Sequence, residues 1–438
     1  MASSSRAIQP TRPPGRPRHL RTLTLLTASS QGEAVLSMIS LMLLVRLEGA
    51  ERAGQLIFAQ AFAAVWFLVC DPRLEDAAQR FVPIEHQRSG QGAALYVRLL
   101  RWDVAIGVAT SLTALLVVLG AWMTGLASGD FALMLGLALV ANGAVASSGT
   151  SSAGFALTDR LDALGAARLR CAVLSFVLSL GGLLLGGPPA YLAGQAVAAI
   201  VTALVLGTRS LRAMLAEMGP AQSRVPLPPG LVPFAVKASL ATSVAAGSES
   251  GILTLAGLLG GPALVTILKI ASAPGRLYYS LISPITSMLY PRLAQAAAAG
   301  ETALIRRDAV RVTLALTGLG AAALTIAAPT ADDALGLVYG TRYAEVGTVA
   351  TLLLAAFCVK GMACWSKVLP LALGKPSWRL AFLAAEGVLL LGALLLADRT
   401  GAAPLGTAVA FAQGNLIIAI CGTTFWIVML GRCSRSRC

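Results

Sequence analysis

The sequence predicts an all-α polytopic membrane protein with about 12 transmembrane helices, arranged as two six-helix lobes around a central cavity. Of the 438 residues, 56% are hydrophobic and only 12% are charged, whereas a soluble domain needs about a quarter of its residues charged. The apolar residues form long runs, most of them near the ~20 residues that cross about 30 Å of hydrocarbon. Basic residues, in addition, fall almost entirely on one side of the predicted spans.

Twelve windows are apolar enough to cross a bilayer. They cover residues 23–45, 54–70, 104–126, 131–155, 169–187, 189–207, 231–259, 263–290, 309–328, 346–371, 380–397 and 404–430. The fifth and sixth windows are separated only by the Gly-Gly-Pro-Pro sequence at 186–189, which predicts a tight hairpin. The longest predicted outer loop covers about residues 328–346.

The windows divide into two sets of six, separated by a proline-rich inner loop. Equal halves predict an internal duplication, which is common in secondary transporters. The predicted organisation is a disordered basic tail at 1–22, an N-terminal lobe at 23–208, a linker at 209–230, a C-terminal lobe at 231–431 and a short tail at 432–438.

The basic residues predict the orientation of the chain. Of the 34 Lys and Arg residues, 25 fall on the side of both termini, four on the other side and five inside spans. This asymmetry places both termini in the cytoplasm. The net charge of +14 therefore serves mainly to orient the chain, and no nucleic-acid partner is expected. The seven Cys and two His show no metal-ligand spacing, so no metal and no other cofactor is expected.

Five basic residues lie inside predicted spans, where each unshielded charge costs roughly 2.5–3.5 kcal/mol on insertion scales. Lys269 and Arg276 are seven residues apart, as are Lys360 and Lys367, so each pair occupies one face of its helix. Both pairs are expected to face the cavity, and Lys237 lies near the inner end of span 7. Counting two acids inside the spans leaves an interior balance of +3.

The order of short motifs along the chain resembles one known group. A glycine turn ends span 1, an Asp-containing inner segment follows span 2, and an acidic residue in span 7 precedes a second glycine turn. The segments are Leu47–Leu56, Asp71–Phe81, Glu249 with Leu259–Pro262, Pro284–Leu293 and Leu335–Tyr343. Over about residues 23–375 they resemble the Wzx-like lipopolysaccharide biosynthesis proteins. These form the polysaccharide-exporter branch of the multidrug/oligosaccharidyl-lipid/polysaccharide flippase superfamily.

The resemblance implies a flippase and not an enzyme, with no catalytic residues. It would move an undecaprenyl-diphosphate-linked oligosaccharide to the outer face of the bacterial inner membrane by alternating access. The expected partners are that lipid-linked oligosaccharide, membrane lipids and other polysaccharide-assembly proteins. The diphosphate is expected to bind Arg276, Lys360, Lys269, Lys367 and Lys237. Alternatively, Lys237, Lys269 and Lys367 extend to the interface, and Arg276 forms a structural ion pair with Glu249.

Further polar residues in the spans receive weaker assignments. Glu33 and Glu249 are candidates for ion coupling, because a buried carboxyl can load and release a proton; the alternative is charge compensation alone. Residues that can contact sugar are Gln31, Asn142, Ser248 and Gln413. For such residues the competing interpretation is helix packing.

Three other functions compete with the flippase. A cation-coupled exporter of small molecules from the same superfamily would favour an acidic cavity for cationic drugs, and the predicted cavity is basic. A major-facilitator carrier also has six plus six spans, but the loop motif between its spans 2 and 3 is missing. A polysaccharide polymerase or ligase needs a large outer loop with catalytic Arg or His, and the predicted outer side has four basic residues and no His.

Overall fold

The computed structural model describes residues 16–70, 74–220, 226–298, 301–373, 376–400 and 403–433. The described residues form helices and no strands. Short 3-10 helices occupy Thr341–Val346 and Cys364–Lys367. The α-helices are Arg16–Cys70 (α1), Glu75–Ser89 (α2), Gly92–Met123 (α3), Gly129–Val145 (α4), Ser148–Leu157 (α5), Leu161–Met218 (α6), Leu231–Ala298 (α7), Thr302–Tyr339 (α8), Gly347–Met362 (α9), Leu369–Ala372 (α10), Pro376–Thr400 (α11) and Pro404–Cys433 (α12).

The helices have the lengths and surfaces of a membrane bundle. Within the described ranges, nine helical segments are long and apolar enough to cross a membrane. Three of these segments are interrupted by glycines, and dividing them there gives twelve, in agreement with the twelve predicted windows. Large apolar side chains such as Leu116, Leu185 and Leu396 are exposed on the bundle surface, as contact with lipid requires. The prediction of an all-α polytopic membrane protein is confirmed.

The interruptions share one backbone conformation that only glycine adopts readily. Gly49 has φ 78° and ψ 179°, Gly187 has φ 70° and ψ −157°, and Gly261 has φ 68° and ψ −171°. An L side chain is strongly disfavoured at these angles. A Cβ on Gly187 would lie 3.3 Å from the Glu48 carboxylate, so the turns at Gly49 and Gly187 are neighbours. We call the end of the bundle that holds Gly49, Gly187 and Gly261 the turn end.

The predicted hairpin at residues 186–189 is confirmed. A Cβ on Gly182 would lie 2.1 Å from the carbonyl oxygen of Ala190, and one on Gly194 would lie 2.2 Å from that of Leu178. The two halves of α6 therefore run antiparallel and in backbone contact. Small residues permit this close approach, as in other tightly packed membrane helices.

The first two helices of each half meet at the turn end in a reciprocal way. Thr266 Oγ1 donates a hydrogen bond to the Ala50 carbonyl at 2.8 Å, and a Cβ on Gly54 would lie 1.9 Å from the Pro262 carbonyl oxygen. Ala50 and Pro262 each follow a turn glycine by one residue, and Gly54 and Thr266 each follow one by five. The contacts are thus related by a pseudo-two-fold axis, which supports the predicted duplication.

A second pair of equivalent contacts lies towards the opposite end. Gln31 Nε2 donates to the Ser280 carbonyl at 3.1 Å, and Ser280 Oγ donates to Gln31 Oε1 at 3.0 Å. Ser243 Oγ donates to the Leu68 carbonyl at 2.7 Å. Gln31 and Ser243 each precede a turn glycine by 18 residues, whereas Ser280 and Leu68 each follow one by 19. The duplication is therefore visible along the whole contact between α1 and α7.

The remaining helices complete two groups, α1–α6 and α7–α12, each packed mainly within itself. The largest buried apolar cluster takes residues from both groups, including Leu56 and Leu139 from the first and Leu264 and Leu353 from the second. One core therefore joins the halves. The residue boundaries predicted for lobes, linker and tails stay predictions.

Two segments outside the predicted spans contain helix. The predicted outer loop at about 328–346 is helical as far as Tyr339, where Gly340 with φ 108° ends α8. The inner segment after span 2 contains α2, which packs Ala77 and Val82 into a second buried cluster. Apolar windows detect the part of a helix that matches the hydrocarbon thickness, so they miss helical turns that extend beyond it.

The contact at Gly54 yields a test of the fold. We expect Gly54→Ala to lower the free energy of unfolding by about 1–3 kcal/mol, because the added methyl group meets backbone that cannot move without separating the halves. Gly120→Ala is the matched control, because a Cβ at Gly120 meets no atom within 4 Å. Thermal unfolding of the detergent-solubilised proteins measures both. Equal melting temperatures for the two variants would contradict the close approach.

Candidate functional site

A cavity of about 810 Å³ lies among the helices of the second group. The described residues that line it come from α7, α9, α11, α12, the 3-10 helix Cys364–Lys367 and Ala363, which joins α9 to that 3-10 helix. Among the described residues that line it, four are cations and one carries a carboxylate. These five residues are Arg276, Lys360, Lys367, Arg379 and Glu386. The prediction placed the cavity centrally between the lobes, whereas the described residues that line this one belong to the second group.

Lys360 is held by two polar partners inside this cavity. Its Nζ lies 2.7 Å from Glu386 Oε1 and donates a hydrogen bond to Asn415 Oδ1 at 3.1 Å. The side chains of Lys360 and Glu386 are 26% and 21% exposed, so the pair is half-buried. Lys360 lies on α9, Glu386 on α11 and Asn415 on α12. The ion pair and the hydrogen bond together therefore join three helices.

Lys367 lies on an aromatic wall of the same cavity. Its Nζ is 4.3 Å from the centre of the Tyr279 ring, and Tyr279 packs edge-on against Phe357. Such a cation–π contact stabilises a partly desolvated ammonium by about 0.5–2 kcal/mol. The charges of Glu386 and Arg379 also act on Lys367. The cations therefore form one electrostatic group rather than isolated charges.

The rest of the wall is mostly apolar. It includes Ile252, Leu253, Leu353 and Phe411 beside the polar group. A cavity with this composition fits a ligand that combines negative charge with hydrocarbon. Its volume lies within the ~300–1,000 Å³ of ordinary ligand pockets.

A smaller polar cavity of about 360 Å³ lies in the first group of helices. Asn142 lines it together with Glu75, Asp103 and Arg168, and the Asn142 amide also donates to the Ala138 carbonyl at 2.9 Å. Ser250 lines both cavities, so the two are neighbours across the contact between the groups.

The structure brings together three of the five predicted cationic residues. Arg276, Lys360 and Lys367 line the larger cavity. Lys269 is half-buried on α7 but is not among the residues that line it. Lys237 belongs to α7, but its side chain lies outside the described part of the chain.

The other predicted site residues are dispersed. Gln31 joins α1 to α7 through Ser280, and Gln413 and Glu33 are exposed. The side chains of Ser248 and Glu249 lie outside the described part of the chain. Of the three predicted sugar contacts whose side chains the structure describes, Asn142 alone lines one of the two cavities, and that cavity is the smaller one.

The sequence analysis missed two residues of the larger cavity. Glu386 lies in the middle of the predicted span 380–397, yet the count of interior acids omitted it. Arg379 was counted with the inner-side residues that set orientation. Arg379 and Glu386 are seven residues apart on α11, the same spacing that identified Lys360 and Lys367, so this signal was present in the sequence.

The sequence matches no protein-family model and no curated protein. By structure, it superposes on an inward-facing multidrug resistance MATE family transporter of the MOP superfamily with TM-score 0.73 and 13% identity, over 92% of this chain and 96% of the other. The chain has the fold of the MATE transporters.

Two further structures extend the comparison. An outward-facing MATE family transporter of the MOP superfamily gives TM-score 0.67 at 12% identity, over 94% of this chain and 95% of the other. A MOP superfamily transporter from Pyrococcus furiosus gives TM-score 0.65 at 12% identity, over 95% of this chain and 96% of the other. Its binding pocket is described as having reverse polarity, which suggests a different function for that protein. The MATE fold therefore covers nearly the whole chain.

The geometry of the ion pair yields a second test. We expect Lys360→Met to lower the free energy of unfolding by about 1–2 kcal/mol, between the values for exposed and fully buried pairs. The loss arises because Glu386 is left with a desolvated, uncompensated charge. Adding Glu386→Gln to Lys360→Met is expected to restore much of the lost stability. Additive losses in this double-mutant cycle would show that the two side chains do not interact.

Proposed function

We propose that the chain is a transporter that moves an undecaprenyl-diphosphate-linked oligosaccharide across a bacterial cell membrane for the synthesis of surface polysaccharide. The observation that carries the proposal is the larger cavity, whose described wall residues include four cations and one carboxylate. Lys and Arg bind phosphate oxygens through charge-assisted hydrogen bonds. A diphosphate has several such oxygens close together, so it can contact more than one of these cations at once.

The apolar part of the wall supports the same substrate class. Ile252, Leu253, Leu353 and Phe411 provide hydrocarbon contact next to the cations, which suits the first isoprene units beside a diphosphate. A cationic drug would meet net repulsion in this cavity. The multidrug transporters of similar fold are therefore the less suitable guide to substrate, and the Pyrococcus furiosus protein shows that pocket polarity varies within the fold.

Contacts at the two ends of the bundle suit alternating access. At the turn end, Arg46 donates to the carbonyl oxygens of Leu337 and Val338, the latter at 2.6 Å. These carbonyls belong to the last turn of α8, where they lack helical partners and attract positive charge. Towards the opposite end, the halves are joined by the equivalent hydrogen bonds of Gln31 and Ser243. Each set must break when the corresponding side opens.

The predicted orientation gives these contacts a direction. With both termini in the cytoplasm, the turn end faces outward, and Arg46 and the glycine contacts close the outer side. Loading then occurs from the cytoplasmic side, where lipid-linked precursors are assembled, after the inner contacts separate. Release to the outer face requires separation of the turn end.

Transport in vesicles tests the proposal. The probe is a polyprenyl diphosphate bearing one radiolabelled N-acetylhexosamine, and its transfer between leaflets is followed by enzymatic modification of the exposed sugar. We expect Arg276→Ala and Lys360→Ala to reduce transfer by about 10–100-fold, because each removes a hydrogen bond from a charged group worth about 1.5–3 kcal/mol. Arg399→Ala, at an exposed position at the end of α11, is the matched control.

The outcomes separate the candidate functions. Full transfer in both cavity variants would contradict the cationic site. A wild-type protein that exports ethidium but leaves the diphosphate probe in place would instead support a small-molecule exporter. Because Lys360→Ala leaves Glu386 unpaired, the double variant with Glu386→Gln is included to show that any loss reflects the missing cation.

The outer contact yields a further test. Cys421 is exposed and lines the larger cavity, so its labelling by a membrane-impermeant maleimide reports access from outside. In a background in which Cys70, Cys433 and Cys438 are serine, we expect Arg46→Gln to increase this labelling several-fold. The reason is that the closed turn end loses about 1.5–3 kcal/mol of stabilisation. Labelling unchanged from that of Arg399→Gln would contradict a closing role for Arg46.

A further inference from the structure

Glu386 is the one carboxylate among the described residues that line the larger cavity. It contacts Lys360 at 2.7 Å and acts electrostatically on Lys367. On α11 it lies seven residues after Arg379, which places both on one face of the helix. Glu386 therefore sits within the cationic group rather than at its edge.

The contact to Lys360 has the geometry of a bound anion. Carboxylate and phosphate oxygens both accept charge-assisted hydrogen bonds from an ammonium at about 2.7–2.9 Å. A Lys ammonium has three donors; Glu386 and Asn415 already accept from two of the Lys360 donors. A phosphate that uses the third donor lies beside the Glu386 carboxylate and is repelled by it. Phosphate therefore binds Lys360 at full strength only where that carboxylate moves away.

We propose that Glu386 is an internal competitor of the anionic substrate for Lys360. It neutralises the ammonium when the cavity is empty and is displaced when substrate binds; this inference rests on the proposed function. The competition makes binding an exchange of one anion for another. Part of the electrostatic attraction is thereby cancelled, which keeps affinity low enough for release at the other face.

Displacement also defines a specificity for multivalent anions. A monoanion that takes the place of Glu386 gains one contact with Lys360 and loses an equivalent one. A diphosphate gains contacts with Lys360 and with Arg276 or Arg379 at once, because these cations line the same cavity. Glu386 thus favours diphosphates over monophosphates, since specificity depends on the difference between the two binding free energies.

A merely structural ion pair predicts different behaviour. Loss of a structural contact would reduce both binding and transport as the helices shift. Loss of a competitor increases binding while slowing transport, because the substrate then leaves the cavity more slowly. Affinity and maximal rate therefore move in opposite directions only for the competitor.

The test uses the full-length protein in detergent and in vesicles, with farnesyl diphosphate and farnesyl monophosphate as probes. Binding is measured as protection of Cys421 from maleimide in the background without Cys70, Cys433 and Cys438. We expect Glu386→Gln to bind farnesyl diphosphate about tenfold more tightly, equivalent to about 1.4 kcal/mol. The monophosphate is expected to gain more, so that the discrimination between the probes falls. The maximal transport rate of the sugar-bearing probe should decrease.

The controls separate this inference from the proposed function. Failure of wild-type protein to bind either probe would overturn the proposed function whatever Glu386 does. Binding of the diphosphate by wild-type protein, with unchanged or weaker binding by Glu386→Gln, would overturn the competitor alone. Glu386→Asp retains the charge and should retain discrimination; if Glu386→Gln fails to fold, the double variant with Lys360→Met must lose discrimination instead.

Discussion

The close approach of α1 and α7 at the turn end is the constraint on which the rest of the architecture depends. The Gly54 position lies against the Pro262 carbonyl, and Thr266 hydrogen-bonds to the Ala50 carbonyl in the equivalent place. Backbone contact at this distance excludes any side chain at Gly54, so packing is fixed by shape rather than by hydrophobic driving force. Within lipid, where tails are as apolar as the helices, shape and hydrogen bonds are what can hold two halves together.

The cavity charges find partial compensation among the helices of the second group. Lys360 has Glu386 and Asn415, and Lys367 has the Tyr279 ring. Each interaction lowers the cost of holding an ammonium inside the bundle. Among the described residues of this wall, four cations nevertheless face one carboxylate. An anionic ligand would neutralise the positive charge that the protein itself leaves uncompensated. The same charges thus govern both the stability of the cavity and its choice of ligand.

The sequence was informative where periodicity and length decide structure. It predicted the spans, the hairpin at 186–189 and a common cavity for Lys360 and Lys367. The shared helix face was wrong, because α9 ends at Met362 and Lys367 lies on the 3-10 helix Cys364–Lys367. It did not predict that Lys269, on the same helix face as Arg276, is absent from the cavity wall, or that Gln31 joins the halves through Ser280. Helical spacing tells which residues share a face, but the neighbour opposite that face depends on how the halves cross. Glu386 was not among the predicted interior acids, although it lies inside the predicted span 380–397.

The two ends of the bundle share symmetry-related contacts between α1 and α7, but one contact at the turn end has no symmetry mate. The duplicated contacts, Ala50 with Thr266 and Gln31 with Ser280, are matched by their symmetry mates. Arg46 binds the end of α8 through two carbonyl oxygens, whereas the position equivalent to Arg46 in the second half is occupied by Leu258. Leu258 is exposed, and its side chain cannot donate a hydrogen bond. Symmetric helices thus supply a common pivot, and one unsymmetric arginine favours closure of the turn end.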